Sequence, residues 1–332
     1  MNKQQVKDLF NSFNNLKVLV IGDVMIDAYY QGKVDRISPE APVPVVRVTK
    51  SEKRLGGAAN VARNLKSLGA TPFLCSVIGE DLSGNEFLDI LDQESMPSTG
   101  IIRSAERTTT VKTRVISGSQ HMLRIDEEKI SSLSNQELVD FENHIKNLIE
   151  SEKIDVIIFE DYDKGIITAS LIKAVVNYAH INDIPVAVDP KKDNFLNYKN
   201  VDLFKPNLKE LVEGLKIEIT TKSTQELNKA NALLHEVLNH KNSLITLSEK
   251  GVFIGSKSQG EIIPAHFRNI TDVSGAGDTV ISVASLCLAN NIESHWLAQF
   301  SNLAGGLVCE EVGVIPVNKQ KLLDECLALC KA

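Results

Sequence analysis

The sequence predicts an α/β fold: a mostly parallel sheet covered by helices on both faces, with a small antiparallel sheet beside it. Three observations carry this reading. Short apolar runs at 18–21, 156–159, 186–188 and 244–247 are continuous rather than alternating, as strands buried on both faces must be. Helical apolar patterns at 58–68, 136–149, 169–179 and 225–238 separate them. Two further stretches stand outside that rhythm and resemble hairpins.

In chain order, Val6, Leu9, Phe10 and Phe13 first make a short amphipathic helix, and the N-terminus lacks the apolar core of a secretory leader. The strand at 18–21 runs into Gly22-Asp23. Residues 28–49 carry the runs AYYQGKV and VPVVRVT, joined across Pro39 and Pro42. Residues 108–126, TTTVKTRVISGSQHMLRID, read as a hairpin turning at Ser117-Gly118-Ser119. In its first arm Val111 and Val115 share one face, and Lys112 and Arg114 take the other. These two segments predict a lid able to close over a site at the strand ends. The later strands end in Glu160-Asp161, Asp189-Pro190-Lys191 and Ser248-Glu249, and ligands of open α/β sheets gather at such carboxyl ends. A last helix, 278–289, follows a glycine turn. With no repeat, low-complexity tract or long linker, the expected organisation is one domain over 1–332, with lid segments at about 28–49 and 108–126.

Composition narrows the function. A formal charge of −7 and a pI near 5.6 argue against a nucleic-acid partner. No run approaches the ~18 apolar residues of a membrane span. The five cysteines form no C-x-x-C pair and sit mostly in apolar stretches, so neither zinc nor a disulfide framework is expected. Together these features predict a reduced, cytoplasmic protein with no membrane partner.

The phosphate-binding fingerprints G-x-x-x-x-G-K-[ST] and G-x-G-x-x-G are absent. The stretch ITDVSGAGDTVISV, at 270–283, supplies a different route. Gly275, Ala276 and Gly277 bring an anion close to backbone N–H groups at a helix start, where the helix dipole favours negative charge. Asp278, in the same turn, is placed to accept a proton from a hydroxyl attacking phosphorus. A favourable first-turn acid after a flexible loop is the plainer explanation of the same residues. A second cluster, LGGAANVARNLKSLGA, sets Gly56 and Gly57 at a helix start with Asn60 one turn in. That arrangement suits a polyol lying against backbone, and Asp23 and Asp27 add acceptors for its diols.

With these residues in place, the chain resembles the ribokinase/phosphofructokinase-B family of sugar kinases over essentially its full length. The matching elements are Gly56-Gly57-x-x-Asn60, Pro206-Asn207-x-x-Glu210, Thr246-x-x-x-x-Gly251 and Asp272-Val-Ser-Gly-Ala-Gly-Asp278. The resemblance implies a ribokinase-like three-layer α/β/α sandwich with a β-lid that often forms a dimer contact. It implies ATP and Mg²⁺ as cofactors, with K⁺ as a further candidate. Asp278 would be the catalytic base and Gly275–Gly277 the anion hole. Asn207 and Glu210 would organise Mg²⁺ and the ATP phosphates, so that Glu210 meets the metal indirectly. Thr246, Ser248, Gly251 and Asn302 would lie near the nucleotide.

Within that family, RISPEAPVPVV, TRVISGSQHMLRID, EDYDKG and VDPKKDNF are similar to segments of kinases acting on D-glycero-D-manno-heptose 7-phosphate. That narrower resemblance implies phosphorylation at C1, giving the 1,7-bisphosphate for ADP-heptose synthesis in lipopolysaccharide core assembly. The H-x-G-H motif of nucleotidyl transfer is missing, so that step is expected in another polypeptide. Glu160 stands where serine is common in such kinases. Asp161 and Lys164 fall on the sugar side, and the 7-phosphate needs a cation from among Arg114, Arg124, Lys164 and Lys191. Arg124 would be bidentate if it points inward, and Lys191 could equally reach the nucleotide. Kinases of ribose, fructose or a hexose phosphate, a non-catalytic sugar or nucleotide sensor, and a nicotinamide oxidoreductase are the alternatives.

Overall fold

A computed structural model describes residues 1–118, 120–257 and 259–330. The strands are β1 (Lys17–Gly22), β2 (Val24–Ile37), β3 (Pro44–Gly57), β4 (Thr71–Gly79), β5 (Ile101–Ser104), β6 (Val111–Ser117) and β7 (Gln120–Glu127). They continue with β8 (Val156–Glu160), β9 (Val186–Asp189), β10 (Leu203–Phe204), β11 (Asn242–Thr246), β12 (Val252–Gly255) and β13 (Gly260–Ile263). Helices are α1 (Lys3–Ser12), α2 (Ala58–Ser67), α3 (Leu82–Gln93), α4 (Asn135–Glu152) and α5 (Ala169–Ile181). The rest are α6 (Leu208–Leu215), α7 (Thr224–Leu238), α8 (Ala276–Ala289), α9 (Ser294–Val308) and α10 (Lys319–Leu329).

The four apolar runs become neighbours in a nine-stranded sheet of order β13-β12-β11-β10-β9-β8-β1-β4-β5. It is parallel from β11 to β5, and β12 and β13 close one edge as antiparallel strands. Because these strands are buried on both faces, each face needs its own helical layer. One core packs Val6 and Phe10 of α1, Leu65 of α2, Phe87 of α3, Ile281 of α8 and Phe300 of α9 against Val18, Val20 and Ile158. The other packs Phe141 of α4, Ile172 of α5, Leu211 of α6 and Leu234 of α7 against Leu19, Ile21 and Phe159. Adjacent residues of β1 thus serve opposite layers, as period-two geometry requires. All five cysteines are buried and free.

The chain leaves β1 towards β4 and β5 on one side, then returns through β8 to β11 on the other. The direction of strand order therefore reverses between β1 and β8. Residues after both strands meet there, and that crevice is where open α/β sheets take their ligands.

The predicted lid is a separate four-stranded sheet of order β3-β2-β6-β7. Its outer pairs are antiparallel hairpins, while β2 and β6 run parallel in the middle. Its first hairpin is longer than alternation suggested, because β2 begins two residues after β1 ends and β3 leads directly into α2. The ribbon thereby roots both Asp27 and Gly56-Gly57 at the strand ends of the main sheet. The second hairpin turns as expected around Gly118, with Ser119 outside the described residues.

Candidate active site

The segment before α8 is shaped by Asp272, whose carboxylate accepts from the Ser274 N–H and from the Gly313 N–H, both at 2.9 Å. Gly275 then caps the helix with φ 76°, left-handed backbone that a side chain resists. A Cβ there would stand 3.0 Å from Asn60 Nδ2, so the turn and Asn60 are packed as one unit. The first helical turn leaves N–H groups without intrahelical partners, and the dipole adds positive potential at the same end.

Asp278 is buried in that first turn. Its Oδ2 accepts from Asn60 Nδ2 at 2.6 Å, and its Oδ1 accepts from the Tyr162 hydroxyl at 3.0 Å. Burial raises its pKa above the usual carboxylate range, opposed by the Asn60 hydrogen bond and reinforced by Asp189. Asn60 comes from α2 and Tyr162 from the loop after β8, so three segments fix one carboxylate. The Asn60 Oδ1 is buried without a partner, which leaves an acceptor beside the acid.

The strand ends supply two kinds of acid. Asp23 is enclosed by backbone: it accepts from the N–H groups of Tyr162 at 2.9 Å, Lys164 at 3.1 Å and Ile166 at 3.4 Å. Burial, with the nearby Asp161 charge, pushes it up to about 6. Asp161 accepts from the Tyr198 hydroxyl at 2.6 Å, the Asn194 amide at 3.2 Å and the Asp163 N–H at 2.9 Å. Through these bonds Asp23 and Asp161, the acids expected on the sugar side, organise the loop after β8. Glu160 and Asp189 instead lie beside Asp278, with one carboxylate oxygen of each of the three within 4.8 Å of the others. Lys205 holds Asp189 at 2.6 Å in a buried ion pair. That lysine immediately precedes the Pro206-Asn207 element, the one signal that could have drawn attention to it.

The expected nucleotide residues largely converge. A cleft of about 950 Å³ is lined by Asn207, Thr246, Ser248, Gly251 and Asn302, and reaches the helix start at Ala276 and Gly277. Asn207 caps α6: its Oδ1 accepts the Glu210 N–H at 2.9 Å, and its own N–H donates to Glu210 Oε2 at 2.8 Å. Lys191 Nζ donates to Glu210 Oε1 at 2.7 Å, so Glu210 stands between a cap and an ammonium rather than on the cleft wall. Burial opposes the charge of Lys191, but Asp189 and Glu210 outweigh it and raise its pKa. Asn302, which also lines the cleft, donates to the Pro264 carbonyl at 2.9 Å.

The sugar-side expectations divide. Gly56 packs against Asp27, with Oδ2 2.2 Å from where a Cβ would sit, and Gly57 has φ 60° over the Asp23 carbonyl. Close backbone approach thus explains both glycines. Asp27 is buried and bound by Arg114, whose guanidinium lies 5.2 Å over the Tyr29 ring. Arg124 faces Arg114 in register, yet its side chain is 55% exposed and bidentate to Asp126. Its inward orientation is not seen, because the edge strand turns it to solvent and Asp126 is two residues away. Lys164 Nζ donates to Glu128 at 3.0 Å. Tyr162 lies within EDYDKG, but nothing in that segment marks its hydroxyl as a partner of Asp278.

A buried acid at a glycine-led helix start, beside a cleft at the strand ends of an α/β/α sandwich, fits phosphoryl transfer to a hydroxyl. The chain belongs to the pfkB family of carbohydrate kinases, which it matches over residues 15–321. The Campylobacter jejuni protein named "Bifunctional protein HldE" is 40% identical over 93% of this chain and 64% of its own length. Its namesake in Geobacter sulfurreducens is 36% identical over 97% and 65%. The chain therefore spans just under two thirds of these relatives. Escherichia coli phosphofructokinase-2 in complex with potassium has the same fold, with TM-score 0.77 and 18% identity over 94% of this chain and 99% of that one. Arabidopsis thaliana ribokinase complexed with ribose and ATP aligns with TM-score 0.70 and 17% identity over 93% and 98%. Among the described residues no helix is long and apolar enough to cross a membrane.

Proposed function

We propose that this kinase transfers the γ-phosphoryl group of ATP to the C1 hydroxyl of D-glycero-D-manno-heptose 7-phosphate. The observation that carries the chemistry is the meeting of Asp278 with the end of the cleft at Ala276 and Gly277. A nucleotide in that cleft would present its terminal phosphate to the α8 N-terminus, where backbone N–H groups stabilise charge developing in transfer. Asp278 accepts the hydroxyl proton, while Asn60 and Tyr162 hold its oxygens in place. The orphan Asn60 Oδ1 accepts from a sugar hydroxyl.

The choice of heptose phosphate rests on the lid and loop segments, and the name of the HldE relatives supports it. Of the four cations considered for the distal phosphate, Arg114 fits best, being half-buried at the root of the smaller sheet. A phosphate there competes with Asp27 for the guanidinium. Mg²⁺ accompanying ATP would neutralise the phosphate charge, and the acidic cluster with Glu210 close by fits such an ion. Ile37, Val48, Leu123 and Ile125 are exposed on the smaller sheet, which suits pairing of two lids in a dimer. The direct test is ADP release across a panel of sugars and sugar phosphates. Heptose 7-phosphate should be preferred; preference for an unphosphorylated sugar would reject the reading.

A further inference from the structure

One backbone carbonyl joins the smaller sheet to the turn before α8. Arg54 of β3 donates from Nη1 to the Val314 carbonyl at 3.2 Å, and Arg63 of α2 donates to the same oxygen at 3.4 Å. A carbonyl oxygen has two lone pairs, so it can hold both guanidinium groups. The Val314 side chain reaches the turn itself, since a Cβ on Gly275 would stand 3.2 Å from its Cγ1. The preceding residue, Gly313, donates its N–H to Asp272, the carboxylate that also accepts the Ser274 N–H. Gly313 has φ 77°, and a Cβ there would stand 2.8 Å from Arg54 Nη1. Glycine backbone is therefore what lets the guanidinium approach.

The other contacts of Arg54 belong to the smaller sheet. Its Nε donates to Glu52 at 2.6 Å, which fixes the direction of the fork. Its guanidinium lies 5.4 Å from the centroid of the buried Tyr29 ring, and that of Arg114 lies 5.2 Å from the same ring. Arg114 in turn binds Asp27. A single aromatic ring thus separates the cation proposed for the distal phosphate from the one that holds residue 314.

We propose that Arg54 is a positioning residue that couples the sugar side of the site to the turn before α8 through Val314. The inference rests on the proposed reaction and adds a link between its two ligands. Packed contacts of this kind carry coupling when a ligand shifts one end of them. Arg54 acts on the placement of residues 272–275, where the terminal phosphate is proposed to sit, and not on the reacting atoms. Sugar phosphate and nucleotide should therefore tighten each other's binding, and by the same factor.

The test is calorimetric titration of the non-hydrolysable ATP analogue AMP-PNP, with and without saturating D-glycero-D-manno-heptose 7-phosphate. The sugar phosphate should tighten wild type about fivefold or more, the lower end of typical coupling. Arg54→Met keeps much of the stem and removes the donors, and should bring that ratio below about twofold. Arg54→Lys keeps the charge but cannot fork between Glu52 and Val314, so it should also lower the ratio. Arg63→Met loosens the same carbonyl from α2, outside the smaller sheet, and should keep the wild-type ratio. A merely structural role would lower the unfolding midpoint and weaken AMP-PNP equally with and without sugar, leaving the ratio unmoved. A wild-type ratio near one, an unmoved ratio in either Arg54 variant, or an equal loss in Arg63→Met would overturn the proposal. If the panel selects another acceptor, the ratio is measured with that one, so failure of the heptose assignment leaves this test standing.

Discussion

At Asp278 two effects oppose each other. Burial favours the neutral acid, while hydrogen bonds from Asn60 and Tyr162 favour the carboxylate that can accept a proton. Asp278→Asn keeps the shape and removes the basicity, and should lower kcat by about two to four orders of magnitude. Tyr162→Phe removes a donor to the ionised form, so the pKa rises and the acid limb of the kcat–pH profile moves to higher pH. The accompanying loss of kcat near neutrality is expected to be about tenfold, the scale of one charge-assisted hydrogen bond. An unmoved acid limb would make Tyr162 a bystander. The aspartate was legible in the sequence because it closes a glycine turn at a helix start. Tyr162 was not, since its hydroxyl reaches Asp278 only once the loop after β8 folds around Asp23.

Two short elements carry backbone demands that separate structure from chemistry. Gly275→Ala forces a side chain into left-handed backbone and against Asn60, and should reduce stability by about 1–2 kcal/mol in urea unfolding. A change below a few tenths would show that the turn tolerates φ < 0. The Asn207–Glu210 pair matches the family element yet forms a capping box on α6. Asn207→Ser retains a good cap and Asn207→Ala does not, so only the alanine variant should lose about 1 kcal/mol. If both variants raise KM for ATP, Asn207 contacts the nucleotide as well as the helix. Spacing alone could not separate these roles, because a cap and a phosphate site use the same residue types at a helix start. The strands and helices were easier to read, since continuous apolar runs leave few alternatives. The length of the β2–β3 ribbon was not, because its inner half is buried and lacks clean alternation.

Over the whole molecule, pH acts on stability through buried groups outside the catalytic acid itself. His235 and His240 stack with centroids 4.0 Å apart and an interplanar angle of 12°. Burial, then the neighbouring His235, holds His240 down at about 3. A depressed histidine keeps its contribution above its unfolded pKa of about 6.5, and loses it as pH falls from there towards 3. Asp23, raised to about 6, acts in the opposite sense: its contribution is present below about 4 and lost as pH rises to 6. His240→Gln keeps a partner for Ser243 and cannot be protonated. Its stability relative to wild type should therefore improve as pH drops from 7 to 5, by up to about 1.4 kcal/mol per unit. A difference independent of pH would exclude His240 as the source.

The segments α2, the loop after β8 and α8 meet at the reversal of strand order, where the phosphoryl transfer is proposed to occur. Its most direct test is ³¹P NMR of the product formed from ATP and D-glycero-D-manno-heptose 7-phosphate by wild type and by Asp278→Asn. A new phosphate on C1 is expected with wild type, the 7-phosphate left intact, and product reduced at least a hundredfold with the variant if Asp278 is the base. Phosphate at another carbon, no product with wild type, or equal product with Asp278→Asn would contradict it.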